Sequence, residues 1–285
     1  MPAPAVPKDL AECVQRALEE DIGSGDVTAL LVPAPQQALA RVISREPAII
    51  AGRPWVDAVF ASLSAGIVLE WLVDEGESVT ADQVLFRVRG PARALLTAER
   101  TALNFLQTLS GTATAVRSYV NAVAGTGASI VDTRKTLPGL RNAQKYAVVC
   151  GGGINHRIGL YDGILIKENH IAAAGGIEQA IRNARALNAG IPLMTEAETL
   201  VEASSALAAD VDLLLVDDFS PEDLLEAVCL TRAHRAQGGS TLIEYSGGTT
   251  LDVVRGIAET GVDRISVGAI TKHLRAVDLS MRFMS

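Results

Sequence analysis

Aromatic residues are scarce: Phe, Trp and Tyr together make up 4% of the 285 residues. Ala, Val, Leu and Ile fill the apolar positions instead, and with 25 glycines to mark tight turns this palette suits an α/β protein better than a β-sandwich. Cysteine is nearly absent. Cys13, Cys150 and Cys229 are odd in number and lack metal-ligand spacing, which excludes a disulfide scaffold and reads as reduced thiols in a cytoplasmic protein. Basic charge is also short: 25 Lys and Arg stand against 33 Asp and Glu, a net charge of −8, which excludes the broad basic face that nucleic acid demands. No uninterrupted apolar run approaches a membrane span and no basic-then-apolar leader opens the chain, so a soluble, non-exported protein is expected.

The positive charge that exists is concentrated. Between Asp132 and His170 six Lys or Arg face three Asp or Glu, so this segment carries +3 while the rest of the chain carries −11. Such a concentration in an acidic chain points to a small, multiply charged anion as ligand.

Lys8 to Ile22 has helical spacing and stops at Gly23-Ser24-Gly25. β-rich runs follow at Ala38–Ser44, Ile67–Val73 and Val84–Val88, with a helix around Trp55 to Leu63, which makes an α+β piece. Ala94 to Gly111 reads as an apolar-faced helix in which Glu99 enters the apolar face and Arg100 lies at its edge. After about residue 115 strands alternate with helices: Ser129–Asp132, Ile164–Lys167, Pro192–Glu196, Leu213–Asp217, Thr241–Tyr245 and Arg264–Gly268, with helices expected from near Pro138, Gly176, Thr199, Ser220 and Thr250. This rhythm gives a parallel sheet, and closure into a barrel is the economical way to bury it. The expected organisation is therefore an α/β protein with an N-terminal α+β domain over 1–114 and an α/β barrel over 115–285.

Every expected barrel strand ends on a polar or special residue: Asp132 with Arg134 and Lys135, then Lys167, Glu196, Asp217, Ser246-Gly247-Gly248 and Gly268. In such barrels the carboxyl ends of the strands build the active site, so these endings should converge. Arg134, Lys135, His156, Arg157 and Lys167 have the chemistry to clamp carboxylates or phosphates. Glu196 and Asp217 cannot do that. Carboxylates beside a phosphate hold Mg²⁺ or ribose hydroxyls. The late glycines have the form of a phosphate site at helix N-termini, and Lys167 also stands where a Schiff-base lysine would. His170, just past a strand, reads first as a structural histidine.

The chain resembles the quinolinate phosphoribosyltransferases. The resemblance rests on Glu20-Asp21-Ile22-Gly23-Ser24-Gly25-Asp26-Val27-Thr28, on Leu96-Thr97-Ala98-Glu99-Arg100-Thr101-Ala102-Leu103-Asn104, on the basic segment, and on Glu259-Thr260-Gly261-Val262-Asp263 with Ser266-Val267-Gly268. It implies an incomplete barrel of about six strands, a C-terminal segment returning toward the N-terminal domain, and a homodimer with shared active sites. It further implies that quinolinate and phosphoribosyl pyrophosphate react, with Mg²⁺, to nicotinate mononucleotide, pyrophosphate and CO₂. Carried over by position, Lys135, Lys167, Glu196 and Asp217 are the catalytic residues. Arg100, Arg134, His156, Arg157, Ser246, Gly247, Gly268 and Lys272 join the two lysines in binding substrates, Arg100 from across the dimer, and Glu196 and Asp217 are the metal ligands. The sequence departs from the family pattern at Met194-Thr195-Glu196 for Glu-Val-Glu, at Val216-Asp217-Asp218 for Leu-Asp-Asn, at Thr271-Lys272-His273 for Thr-His-Ser, and at the bulky Tyr245. These departures keep two readings open: a paralogue for another aromatic or pyridine carboxylate, and a barrel lyase using Lys167.

Overall fold

The computed structural model describes residues 4–284, which divide into two compact units. Among these residues one unit comprises 4–117, 135–152 and 269–284, and the other 118–134 and 153–268.

The first unit opens with helix α1 (Leu10–Ile22), which buries Cys13, Val14 and Leu18 and stops at Gly23. Strand β1 (Gln37–Ser44), the short β2 (Ala48–Ile49), helix α2 (Arg53–Leu63), β3 (Val68–Trp71), β4 (Ser78–Val79) and β5 (Val84–Pro91) follow, and β1, β5 and β3 form consecutive antiparallel pairs. Alternation along β1 and β5 turns Ala40, Val42, Phe86 and Val88 into a core that α2 completes with Trp55, Val56, Val59 and Phe60. Phe86 is its hinge, meeting Trp71 at 4.5 Å and Phe60 edge-on at 6.3 Å between ring centroids.

Helix α3 (Ala92–Ala122) is longer than its apolar pattern predicts. Gly111, which reads as a helix stop, lies inside the helix because a Cβ there would collide with the carbonyl of Arg275. The glycine serves a close backbone approach and not a termination. Glu99 is partly buried, and burial pushes its carboxyl above the ordinary value against the pull of Arg100. Arg100 itself is exposed.

The second unit holds six parallel strands and the helices between them. Strand β6 (Ser129–Val131) comes first, and the chain then supplies helix α4 (Arg141–Cys150) to the first unit before returning. Pro138 precedes that helix, which begins three residues later than expected for a proline in its first turn. Strand β7 (Ile164–Ile166), helices α5 (Glu168–Ala174) and α6 (Ile177–Ala186), β8 (Leu193–Ala197), α7 (Leu200–Ala208), β9 (Leu213–Asp217), α8 (Pro221–Ala236), β10 (Leu242–Ser246), α9 (Val254–Glu259) and β11 (Arg264–Ser266) complete it. Thr199 and Ser220 cap α7 and α8 through their hydroxyls, with Pro221 in the first turn of α8.

The strand order is β6-β11-β10-β9-β8-β7. The first strand therefore pairs with the last, as in a barrel, while β6 and β7 do not pair, so the barrel is incomplete. Among the described residues the open side of β6 carries one isolated bridge, from Val131 to Ile154. After β11 the chain forms helix α10 (Ala269–Lys272) and strand β12 (Leu279–Phe283), which pairs antiparallel with β1 and completes the first unit's four-stranded sheet. Among the described residues no helix is long and apolar enough to cross a membrane.

Candidate active site

Strand register sorts the barrel side chains into two faces. Leu165, Met194, Leu213 and Leu242 stand beside one another, and so do Glu196, Leu215, Glu244 and Arg264. Because side chains alternate with period two, Lys167, Glu196, Asp217 and Ser246 all fall on this one face, at the carboxyl ends of four neighbouring strands. The opposite face presents Ile166, Thr195, Leu214, Val216, Ile243 and Ile265, all buried, with α7 and α8 packed against these strands. The polar face thus looks into the barrel, where a cavity of about 320 Å³ is lined by His156, Arg157, Met194, Leu213, Leu242 and Arg264 among others.

Lys167 Nζ donates to Glu196 Oε2 at 2.5 Å across the β7–β8 edge. Glu196 is buried, and burial pushes its carboxyl up. Lys167 opposes that shift, and Asp217 and Glu168 add to it. A buried carboxylate with a second acid nearby and a lysine on one oxygen is poised to meet a further cation or a hydroxyl. The ligand atoms of Glu168, Glu196 and Glu198 lie within 4.8 Å of one another, so hard oxygen donors suited to Mg²⁺ gather here. Glu168 and Glu198 have no part in the sequence reading. Glu168 opens α5, a short helix without a single buried side chain and so without a periodic signal.

On the other side Arg157 is half-buried and its Nη1 donates to the Gly163 carbonyl at 3.1 Å, while its buried Nε has no hydrogen-bond partner. Burial and the neighbouring Arg134 charge both disfavour its protonated form, with Asp162 opposing them. Two guanidiniums that repel each other, one of them desolvated, are an anion site by electrostatics. Gly163 makes the room: a Cβ there would stand 2.5 Å from Met194 Cε and 3.1 Å from Arg157 Cδ. Met194 therefore packs an apolar wall beside Arg157.

His156 adjoins Arg157. Its backbone N–H donates to the fully buried Asp132 at 2.8 Å, its Nδ1 accepts from the Arg157 backbone N–H at 2.7 Å, and its Nε2 lies 3.5 Å from Glu244 Oε1. Glu244 escapes the motif reading, although an acid inside Leu242-Ile243-Glu244-Tyr245, two residues before Ser246-Gly247, is its signal. His170 accepts from the Lys167 backbone N–H at 3.1 Å, the structural role expected of it.

At the end of β10, Gly247 has φ +117°, and a Cβ there would collide with the carboxylate of Asp218. Asp218 is itself left-handed, at φ 51°, and its N–H donates to the Ser246 carbonyl at 3.0 Å. A left-handed aspartate and an obligatory glycine thus lock the turn around Ser246, a geometry that bares backbone N–H groups. Gly268 follows β11 at the boundary of this unit. Arg100, Lys135 and Lys272 belong to the first unit, where each is exposed.

The first unit has its own cavity, about 460 Å³, lined by Arg16, Glu20, Asp21, Thr101, Asn104 and Phe105 among others. One cation against two acids does not suit a dicarboxylate or a polyphosphate. Of the thiols, Cys150 is buried with Sγ 3.5 Å from Glu75, and both burial and that carboxylate push its pKa up, which keeps it protonated and unreactive.

Acids and a lysine on neighbouring strand ends, a guanidinium pair, and a glycine-locked turn define a barrel enzyme for multiply charged anionic substrates. The models of the quinolinate phosphoribosyl transferase N-terminal and C-terminal domains match residues 26–110 and 112–282. The chain is 41% identical over 277 residues to the nicotinate-nucleotide pyrophosphorylase [carboxylating] of Mycobacterium leprae, covering 95% of each, and 37% identical to its human counterpart, covering 98% of this chain and 93% of that one. The solved nicotinate-nucleotide pyrophosphorylase of Francisella tularensis superposes with a TM-score of 0.93 at 43% identity over 98% of both chains. The chain belongs to the quinolinate phosphoribosyltransferase family.

Proposed function

We propose that the protein transfers the phosphoribosyl group of phosphoribosyl pyrophosphate to the ring nitrogen of quinolinate, releasing pyrophosphate and CO₂ and leaving nicotinate mononucleotide for NAD biosynthesis. The observation that carries this reading is the gathering of Lys167, Glu196, Asp217 and Ser246 on one face at the carboxyl ends of four neighbouring strands, in the unit that also holds the guanidinium pair of Arg134 and Arg157. A ribose cation developing at the anomeric carbon suits the acids, and a dicarboxylate suits the guanidiniums.

In this reading Arg134, Lys135, His156, Arg157 and Lys167 bind quinolinate and pyrophosphate, and the turn of Ser246 and Gly247 with Gly268 receives the 5′-phosphate. Lys272 neutralises phosphate charge. Glu196 and Asp217 stabilise the oxocarbenium-like transition state, and the cationic ring nitrogen stabilises the electron pair left on the adjacent carbon when its carboxylate departs as CO₂, a pair that then takes a proton from solvent. The protein acts mainly by positioning and charge neutralisation. Glu196 with Asp217 would hold Mg²⁺, a donor set of hard carboxylate oxygens that fits the ion, and the ion would supply positive charge to offset that of the substrate. Arg100, exposed at the edge of an apolar helix face, serves a site shared with a second copy in a homodimer of the cytoplasm.

A Schiff-base lyase is disfavoured because Lys167 is engaged in an ion pair with a buried carboxylate. Incubation with phosphoribosyl pyrophosphate, Mg²⁺ and quinolinate should release pyrophosphate and CO₂ in equal amounts. Turnover with nicotinate or another ring acid, but none with quinolinate, would overturn the reading in favour of a paralogue.

A further inference from the structure

Glu244, like Asp132, is fully buried, and neither of its carboxylate oxygens has a hydrogen-bond partner. An unsatisfied buried carboxylate is costly, so a group must exist for it to serve. Register places Leu215 of β9 on one side and Arg264 of β11 on the other. Charged and titratable neighbours come from three directions: Arg264 from β11, Asp132 from the end of β6, and His156 from the segment after Gly153. Ser266 is close enough to temper the acid, but its hydroxyl donates to the Tyr245 carbonyl at 3.2 Å.

The imidazole of His156 is oriented by two backbone bonds. Because Nδ1 accepts the Arg157 N–H at 2.7 Å, the ring proton of the neutral form is on Nε2, and Nε2 is the atom 3.5 Å from Glu244 Oε1. That separation is longer than a formed hydrogen bond, and a ring movement of about half an ångström closes it. The same Arg157 whose N–H fixes the tautomer carries the guanidinium of the anion cluster.

We propose that Glu244 is a positioning residue which accepts the Nε2–H of His156 and so fixes the imidazole and the Arg157 backbone against the bound carboxylates of the substrate. The identity of that substrate as quinolinate rests on the reading above, whereas the Glu244–His156 relation does not. Burial pushes the Glu244 carboxyl up to about 7, against the tempering of Ser266 and Arg264, so as pH falls through neutrality the charged acceptor becomes a neutral one. The protonated carboxyl keeps a carbonyl oxygen for the Nε2–H but loses the charge that strengthens the bond.

The test uses the full-length protein with ¹⁵N-labelled histidines, four in all, and His156→Asn to assign the signal. Without any ligand at pH 8, His156 is expected as the Nε2–H tautomer in the wild type and in Glu244→Gln, whose amide oxygen still accepts, and as a tautomer mixture in Glu244→Leu. In steady-state kinetics Glu244→Leu should raise KM for quinolinate about tenfold or more, the effect of a lost charged hydrogen bond. Glu244→Gln, a neutral acceptor like the protonated acid, should keep the wild type's acid-side KM at every pH and so lack the rise on the acid side of neutrality. An unchanged tautomer in Glu244→Leu, or a Gln variant that keeps the acid-side rise, overturns the proposal. If Glu244→Leu fails to fold, the acid limb of Glu244→Gln decides alone. Wild-type protein that ignores quinolinate while the tautomers behave as expected sinks the substrate reading and leaves the pairing intact.

Discussion

Lys167 and Glu196 meet at 2.5 Å across the carboxyl ends of two adjacent barrel strands, one side chain 44% exposed and the other 6%. The pair joins water to the barrel interior. Lys167→Ala removes the strongest influence holding the Glu196 carboxyl down, while burial and Asp217 continue to push it up. The acid limb of kcat/KM is therefore expected to move to higher pH, with activity at neutral pH falling by about a hundredfold. Stability should change little, since an ion pair with one half-exposed partner is worth about 1 kcal/mol or less. An unmoved acid limb would show that Glu196 is not the group being titrated.

Gly247→Ala should disable the β10 turn. It forces a side chain onto φ +117° and into the Asp218 carboxylate, so KM for phosphoribosyl pyrophosphate is expected to rise by about tenfold or more, with about 1–3 kcal/mol of destabilisation. Adding Asp218→Ala should recover the part due to the collision and leave the part due to backbone strain. Chemical denaturation of both variants separates the two.

All six barrel strands are legible in the sequence because parallel strands buried on both faces read as apolar runs, and here each run breaks on the residue that enters the site. Thr199 and Ser220 announce α7 and α8 through capping chemistry that is local in sequence. Gly111 and α5 are not legible: one answers to a backbone that passes 164 positions later in the chain, at Arg275, and the other buries nothing. For the same reason the acids and arginines of the candidate site can be named from their strand ends, whereas Glu244 cannot. Its meaning comes from His156, distant in sequence, whose Nε2 lies 3.5 Å from its carboxylate.

Arg134 and Arg157 repel each other in the unliganded protein, so an anion between them is stabilising. Pyrophosphate or quinolinate at saturating concentration should raise the melting temperature by several degrees, about 3 kcal/mol at a hundredfold excess over Kd. Arg134→Ala should lose most of that shift and all turnover, yet melt no lower than the wild type without ligand, since it removes a like charge. A lower unliganded melting temperature would mean that Arg134 holds the fold and not an anion.

Glu244 sets function against stability. Its carboxyl is raised from 4.5 to about 7, so between those values the native state binds more protons than the unfolded chain and stability falls as pH rises. The loss is complete above the folded value and amounts to up to about 3 kcal/mol. Glu244→Gln removes the ionisable group. It is expected to match the wild type in urea denaturation at pH 4 and to gain stability progressively up to pH 8, a difference in slope that follows from the shifted carboxyl alone. The same variant loses the pH response of quinolinate binding, so the gain in stability and the loss of the acid limb should appear together in one protein. Equal wild-type and variant stability from pH 4 to pH 8 would mean that the Glu244 carboxyl is not raised in the folded protein.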